Sequence, residues 1–178
     1  MTCIVGLVEN GRVYLGGDSA GVAGLDLTIR ADQKVFKNSD YVMGFTSSFR
    51  MGQLLRYAFE PPVPEEGEDI NKFMATRFID AVRKCLKDGG YARKKDEEES
   101  AGTFLVGYKG HLFFIDNDYQ VGIPITGFDA VGCGYQIARG AMYATKGQKP
   151  THRIMTALEA AELFSAGVRR PFVLVCTE

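Results

Sequence analysis

The second residue of the chain, Thr2, has the side chain and the position of a nucleophile that supplies its own base. A threonine at a free N-terminus carries both groups on one residue. Its hydroxyl attacks, and its α-amine, with an ordinary pKa of about 7.7 to 8.0, accepts the proton. Thr2 follows Met1, and small second residues are those from which methionine is normally trimmed. A threonine at position 2 is by itself an ordinary residue, so this prediction depends on its neighbours.

Two charged residues, Asp18 and Lys34, are candidates to act with Thr2. Residues 3–8 and 13–17 are predicted strands joined by a tight turn, and a hairpin brings the end of its second strand beside the start of its first. Asp18 is therefore expected close to Thr2. Lys34 lies in an extended segment, and if buried it needs a carboxylate partner such as Asp18. A cation near Thr2 would lower the pKa of its amine and hydroxyl. The residues alone leave open a turn aspartate and a surface strand lysine.

The rest of the chain alternates groups of strands with groups of helices. Further strands are predicted at 25–29, 34–36, 41–45, 103–108, 112–116, 129–132 and 172–176. Helices are predicted from a Ser47 or Ser48 cap to Phe59, from an Asp69 cap to the glycines at 89–90, at 135–144 and across 154–164. Residues 21–24 and the charged run 93–99 are predicted loops. This order indicates an α+β fold in which two antiparallel sheets stack between helical layers, and the first hairpin, apolar on both faces, belongs to a sheet covered on both sides.

The composition indicates a single soluble domain over residues 1–178. Of the 178 residues, 46% are hydrophobic, which is enough for a sizeable core. The net charge of -1 and the pI near 6.2 give no electrostatic case for nucleic acid or a membrane surface. There is no apolar stretch of about 18 residues and no secretory signal, so a cytoplasmic location is expected.

No cofactor or metal site is predicted. Cys3, Cys85, Cys133 and Cys176 are scattered without a CxxC spacing, and reduced thiols are expected. The two histidines, His111 and His152, stand at unrelated places and are predicted to be surface or turn residues. Chemistry at an N-terminal threonine requires no metal.

Several short motifs together resemble the proteasome β-subunit family. They are Thr2-Cys3-Ile4-Val5-Gly6, the Asn10-Gly11 turn, Gly17-Asp18, Lys34-Val35, Gly44-Phe45-Thr46-Ser47-Ser48 and, before a predicted helix, Ala130-Val131-Gly132-Cys133-Gly134. The threonine, aspartate and lysine match the family's spacing without gaps. The likeness is strongest to the bacterial proteasome-like protease that works with an ATP-driven unfoldase, and it extends to short phage and prophage relatives. It implies the four-layer αββα sandwich of N-terminal nucleophile (Ntn) hydrolases.

The resemblance also implies a role for each matching residue. Thr2 would be the nucleophile and its own base, Lys34 would lower its pKa, and Asp18 would hold Lys34. The backbone amide of Ser47 would donate to the oxyanion, because it matches a family glycine with that role. Phe45 would form the wall of the primary specificity pocket and favour apolar residues.

An extended peptide substrate would lie as an added strand between two segments of the chain. One segment is the loop after Asp18, which contains Ser19 and Ala20. The other lies near Ser47. This arrangement makes Ser19 and Ala20 candidate substrate-binding residues.

Two positions depart from the family pattern. Cys133 replaces a serine that hydrogen-bonds to the threonine amine, and a thiol is a weaker hydrogen-bonding group. The family also has an aspartate, and a serine three residues later, near the end of its fourth helix. Residues 165–170 of this chain contain no carboxylate and carry two arginines. In addition, a chain that keeps Met1 has no free amine at Thr2.

Three functions remain open from the sequence. The first is a threonine-type peptidase that acts after Met1 is removed. The second is a catalytically inactive proteasome-like module with a structural or interaction role in a phage context. The third is an amidase acting on a small molecule. The resemblance implies a homo-oligomer, in the family a ring of six or seven subunits stacked in pairs, and an ATP-dependent unfoldase as candidate partner. The charged segment 91–100 could obstruct such a ring.

Overall fold

The computed structural model describes residues 1–95 and 97–178. In chain order the strands are β1 (Cys3–Glu9), β2 (Arg12–Gly17), β3 (Ala20–Ala23), β4 (Asp26–Ile29), β5 (Val35–Asn38), β6 (Tyr41–Phe45), β7 (Arg93–Lys95), β8 (Glu98–Ser100), β9 (Phe104–Tyr108), β10 (His111–Ile115), β11 (Val121–Gly122), β12 (Phe128–Gly132) and β13 (Val173–Cys176). The helices are α1 (Phe49–Tyr57), α2 (Ile70–Phe73), α3 (Ile79–Asp88), α4 (Tyr135–Ala144) and α5 (Pro150–Phe164), and a π-helical segment, Met74–Phe78, joins α2 to α3. Within the described residues no helix combines the length and apolar character needed to cross a membrane.

Two antiparallel sheets form the centre of the molecule. The first has the order β12-β1-β2-β13, and the second has the order β11-β10-β9-β6-β5. In the first sheet Ile4 pairs with Gly17 and Cys3 pairs with Gly132. This register brings the start of β1, the end of β2 and the end of β12 to one end of the sheet, as the hairpin argument predicted for the first two.

Three apolar clusters define four layers. One, with Ile4, Leu15 and Val42, lies between the two sheets. A second, with Leu7, Met142 and Leu158, lies between the first sheet and the pair α4 and α5. The third, with Phe78 and Phe104 among its members, lies between the second sheet and α1, α2 and α3. Because both sheets are covered on both faces, the predicted αββα sandwich is confirmed.

Two predicted loops contain strands. Residues 20–23 form β3, which pairs with β4 as a separate hairpin. The charged run 93–99 was predicted to be a solvated loop; it is largely exposed, but Arg93 pairs with Ser100 and Lys94 with Glu99 as β7 and β8. Opposite charges across the two strands favour this pairing over a loop. Asp96, inside the same run, lies outside the described residues. Both histidines are exposed, as predicted.

Candidate active site

Thr2 lies at the entrance to β1, beside the end of β12, and is only 5% exposed. Gly132 makes this approach possible. Its φ is +89°, a region that L side chains rarely adopt, and a Cβ placed there would stand 2.1 Å from the Thr2 carbonyl oxygen. The glycine in the resembling motif therefore has a steric role, because any side chain would displace the backbone of Thr2.

The carboxylate of Asp18 accepts four hydrogen bonds. The backbone N–H of Cys3 donates to Oδ1 at 2.9 Å, and the amides of Ala20 and Arg169 donate to Oδ2 at 2.9 and 3.2 Å. Lys34 donates from Nζ to Oδ1 at 2.9 Å. Asp18 is thus held on the backbone of β1 and of the segment before β13, and it presents Lys34 toward Thr2.

Lys34 is a buried cation, which excludes the alternative of a surface strand lysine. The residue is 1% exposed, immediately before β5. Its removal from water lowers its pKa, and the Asp18 carboxylate opposes that shift. Asp18 is likewise only 2% exposed and so is not an ordinary solvated turn residue. The structure brings these two residues together as the hairpin and pairing arguments predicted.

The carbonyl oxygen of Met1 accepts hydrogen bonds from two side chains of the site. The Thr2 hydroxyl donates to it at 2.6 Å, and Lys34 Nζ donates to it at 3.4 Å. Met1 also packs on Gly167, because a Cβ at that glycine would stand 2.4 Å from the Met1 Cβ. With Met1 attached, the Thr2 nitrogen is an amide and cannot accept a proton, and the hydroxyl is engaged by the preceding carbonyl.

Ser47 has the left-handed backbone that favours glycine, with a φ of +65°. Its amide has no acceptor in the described part of the chain and is available to a ligand. The Ser47 hydroxyl accepts from the Thr103 amide at 3.3 Å, and the helix cap of α1 is the neighbouring Ser48, whose side chain accepts from the Arg50 amide. Ser47 thus has the left-handed backbone conformation that would be expected of a glycine at this position.

The three candidate substrate-binding residues are all buried, and each makes different contacts. Phe45 is 4% exposed, and its ring lies on Gly52 of α1, where a Cβ would be 2.2 Å from a ring atom. Ser19 is 4% exposed and binds the segment before β13, donating its amide to the Arg169 carbonyl and its hydroxyl to the Pro171 carbonyl. Ala20 is fully buried, and its backbone amide donates a hydrogen bond to the Asp18 carboxylate. None of the three is an exposed contact residue in this state.

Cys133 is half-buried between Gly132 and Gly134, both of which have positive φ. It packs on the apolar cluster that contains Cys3. Burial raises the pKa of the Cys3 thiol to about 12, and the charge of Asp18 acts in the same direction. Cys3 is thus a neutral packing residue of the site.

Residues 165–170, which contain no carboxylate, contribute to the site through a backbone amide. The amide of Arg169 is one of the Asp18 donors, whereas its guanidinium donates to the carbonyls of Ser165 and Val168. Sequence reasoning looked for a side chain here and missed this amide, which leaves no signal in residue types. The described residues contain no group of three or more His, Cys, Asp or Glu side chains that could hold a metal ion.

Comparisons with known proteins bear on the fold. No family model and no curated protein sequence matches the chain. Among solved structures, BPH of Thiobacillus denitrificans in complex with epoxomicin is 18% identical, with a TM-score of 0.80 over 99% of this chain and 98% of that one. Eukaryotic HslV from Trypanosoma brucei is 20% identical, with a TM-score of 0.72 over 99% of both chains. Anbu, the ancestral beta-subunit from Yersinia bercovieri, is 14% identical, with a TM-score of 0.66 over 99% of this chain and 81% of that one.

These similarities extend over nearly the whole chain. The protein therefore has the Ntn hydrolase fold of these proteasome-like structures, and the predicted fold class is confirmed. The similarity to phage and prophage relatives stays a prediction.

Proposed function

We propose that the chain is a threonine-type N-terminal nucleophile hydrolase that cuts peptide bonds once Met1 has been removed. The observation that carries the proposal is the buried Lys34–Asp18 ion pair, whose ammonium shares an acceptor, the Met1 carbonyl, with the Thr2 hydroxyl. A buried ion pair is costly to desolvate, and its position beside the one residue that can carry both nucleophile and base supports a chemical role.

The reaction would use groups of this chain alone. Hydrolysis of the Met1–Thr2 bond frees the Thr2 amine and releases its hydroxyl from the Met1 carbonyl. The amine takes the hydroxyl proton while Oγ1 attacks the substrate carbonyl carbon, and the Ser47 amide donates to the oxyanion. The protonated amine then gives its proton to the leaving amine, and an ester on Thr2 remains. Water hydrolyses that ester and restores the free hydroxyl.

Lys34 and Asp18 would act through electrostatics. The positive charge of Lys34 favours the deprotonated forms of the Thr2 amine and hydroxyl, which lowers both pKa values. Asp18 keeps the ammonium charged and in place. Cys133 would stand near the Thr2 amine where the family has a serine, as a weaker hydrogen-bonding partner.

The free edge of β3 supports a peptide substrate. This strand pairs with β4 on one side, and no described strand pairs with its other edge. Val22 of β3 and Ser47 line the same small cavity beside Thr2. An extended peptide could add to this edge and bring a carbonyl to Thr2 with the Ser47 amide on its far side.

The test compares the chain beginning at Thr2, released from a cleavable fusion, with the chain that keeps Met1. We expect fluorogenic peptides to be hydrolysed only by the form that begins at Thr2, and Thr2→Ala to abolish hydrolysis. Epoxomicin, the compound bound to BPH, is a suitable inhibitor, and its effect should disappear with Thr2→Ala. Hydrolysis that survives this substitution would contradict the proposal.

The same experiment separates the other two functions. An inactive structural module would give neither hydrolysis nor inhibitor binding in the form that begins at Thr2. A small-molecule amidase would hydrolyse simple amides in a Thr2-dependent manner and leave peptides intact.

A homo-oligomer and an ATP-dependent unfoldase are proposed partners. BPH, HslV and Anbu share the fold, and a protease that encloses its active sites needs several subunits. Light scattering of the full chain, with and without β7 and β8 replaced by a short turn, would give the oligomeric state and show whether the charged hairpin limits assembly. A monomer in both cases would contradict the proposed oligomer.

A further inference from the structure

Residues 165–171, which connect α5 to β13, contact the candidate active site through their backbone. The Arg169 amide donates to the Asp18 carboxylate at 3.2 Å, and the Arg169 carbonyl accepts from the Ser19 amide at 2.8 Å. The Pro171 carbonyl accepts from the Ser19 hydroxyl at 2.6 Å. Because this segment contributes main-chain groups, whether the contacts form depends on where its backbone lies.

Glu162, in the last turn of α5, holds Arg170 of this segment with both of its carboxylate oxygens. Its Oε1 accepts from the Arg170 amide at 2.8 Å, and its Oε2 accepts from the Arg170 guanidinium at 2.8 Å. The hydrogen bond from the guanidinium lowers the pKa of the Glu162 carboxyl below its ordinary value, so the carboxylate is charged at neutral pH. The Glu162 side chain is only 17% exposed, which limits the screening of this interaction by solvent.

The peptide between Arg169 and Arg170 is therefore fixed from both sides. The Arg169 carbonyl and the Arg170 N–H belong to one planar peptide unit, and in the trans form they point in opposite directions. The carbonyl is bonded to Ser19 and the N–H to Glu162. A rotation of this plane breaks one bond or the other, so Glu162 determines the direction of the carbonyl that faces Ser19.

The Arg169 side chain does not anchor the segment to α5. Its guanidinium donates to the carbonyls of Ser165 and Val168, which belong to the same segment. The Val168 side chain is fully buried in the apolar cluster between the first sheet and the helices α4 and α5. Apolar packing is non-directional and does not orient a peptide plane. The orientation of this backbone relative to α5 is therefore supplied by Glu162.

We propose that Glu162 is a positioning residue for the reaction at Thr2 and acts through the peptide that it holds. It keeps the Arg169 backbone against the Asp18 carboxylate and thereby completes the set of donors to that carboxylate. This inference rests on the proposed function. Residues 165–170 lack a carboxylate, and Glu162, three residues earlier, supplies one that acts on the backbone instead of on the nucleophile.

The loss of this positioning would change the charge that Thr2 experiences. Without the Arg169 amide, Oδ2 of Asp18 keeps only the Ala20 amide, and water does not replace the lost donor because the side chain is shielded from solvent. A less neutralised carboxylate opposes the positive charge of Lys34 more strongly. The pKa of the Thr2 amine should therefore rise, since a nearby negative charge favours the protonated amine.

Amide hydrogen exchange, measured by NMR on the chain that keeps Met1, tests the positioning itself. We expect Glu162→Ala to speed exchange of the Arg169 amide by at least about tenfold, because that amide then opens to water locally. Amides of β9, in the other sheet, should keep their rates. Unchanged exchange at Arg169 would overturn the inference. An equal increase in β9 would also overturn it, because Glu162 would then support the fold as a whole.

The pKa of the Thr2 amine tests whether the positioning reaches the nucleophile. It is measured by NMR titration of the chain beginning at Thr2. Glu162→Ala should raise it by about 0.5 unit, a fraction of the roughly 1–3 units that a full charge produces at close range. The titratable groups that interact with Lys34 are Asp18, Cys3 and Cys133, and the substitution leaves each of them in place. An unchanged pKa would overturn the inference. Because this titration needs no hydrolysis, an unaltered chain that cuts no peptide would count against the proposed function alone.

Kinetics give a third and separate reading. For the chain beginning at Thr2, Glu162→Ala should lower kcat for a fluorogenic peptide by roughly tenfold, since a misplacement of about 1 Å can cost about a hundredfold. KM should stay nearly unchanged, because the free edge of β3 is intact. The acid limb of kcat/KM should move to higher pH with the amine. An unchanged kcat, a change in KM alone, or a fall in kcat with an unmoved acid limb would each contradict the inference.

Two further variants separate the hydrogen bonds from the charge. Glu162→Gln keeps an oxygen for the Arg170 amide and should restore most of the protection of the Arg169 amide and most of kcat. Glu159→Gln removes a negative charge three residues earlier on α5, one that acts on Arg170 through its charge alone, and should change none of the readings. If Glu162→Gln is as impaired as Glu162→Ala, or if Glu159→Gln has the same effect, charge alone is at work and the inference fails.

Discussion

The Lys34 ammonium lies 2.9 Å from the Asp18 carboxylate, and both side chains are completely shielded from solvent. The two partners are not equally dependent on each other. Asp18 also accepts three backbone amides, whereas the other acceptor of Lys34 in the described part of the chain is the Met1 carbonyl at 3.4 Å. The loss of Asp18 therefore leaves a nearly unsolvated cation, and the loss of Lys34 leaves a well-solvated anion.

The loss of Asp18 should lower the free energy of unfolding more than the loss of Lys34. We expect Asp18→Ala to lower the free energy of unfolding by about 3–5 kcal/mol, the range for an uncompensated buried charge. Lys34→Met should cost less, about 1–3 kcal/mol, because the three amides continue to satisfy the carboxylate. Urea unfolding of both variants gives the comparison, and a greater loss for Lys34→Met would contradict this account.

Gly132→Ala should be destabilising because of the Thr2 carbonyl, beyond the cost of its backbone conformation. Gly147 is a matched control, since its φ of +87° is close to the +89° of Gly132 but no atom lies within 4 Å of a Cβ there. We expect Gly132→Ala to cost about 1–3 kcal/mol more than Gly147→Ala, as overpacking does. It should also abolish hydrolysis, which Gly147→Ala should leave unchanged. Urea unfolding and peptide assays measure the two effects, and equal costs would contradict the steric role of Gly132.

Ser47→Gly should stabilise the protein and preserve its activity. Glycine tolerates the φ of +65° without the penalty of about 1–2 kcal/mol that an L residue pays in the left-handed region. The substitution removes two long hydroxyl contacts of an exposed residue, 3.3 Å to the Thr103 amide and 3.2 Å to the Thr46 hydroxyl. The backbone amide proposed as oxyanion donor is retained, so kcat should stay within a small factor of its original value. A large fall in kcat would show that the hydroxyl takes part.

The Cys3 thiol should make stability fall at alkaline pH. Its pKa is about 12 in the folded protein, above its ordinary value of 9.0, so the unfolded chain loses this proton first. Between pH 9 and about 12 the unfolded state binds fewer protons, and the free energy of unfolding decreases as pH rises. We expect Cys3→Ala to reduce this decrease in urea titrations at pH 8 to 11. An identical pH dependence in both proteins would contradict the raised pKa.

The sequence was most informative where side chains or turn geometry carry the structure. The first hairpin predicted that Asp18 would meet the start of β1, and the unusual cost of a buried lysine predicted its pairing with Asp18. The Arg169 amide could not be foreseen, because a backbone donor looks the same at every residue. The left-handed backbone of Ser47 could not be predicted either. A glycine at this position would have indicated that conformation, whereas a serine does not.

The contact between Asp18 and the Arg169 amide has a consequence for when the site can exist. These residues are 151 positions apart, so a growing polypeptide that carries Thr2, Asp18 and Lys34 still lacks one of the four donors until the region of Arg169 has left the ribosome and docked. Such a distant closure is among the slower steps of folding. The hydrogen-bonded environment of Asp18 is therefore completed only after the region of Arg169 has been synthesised, long after the first hairpin.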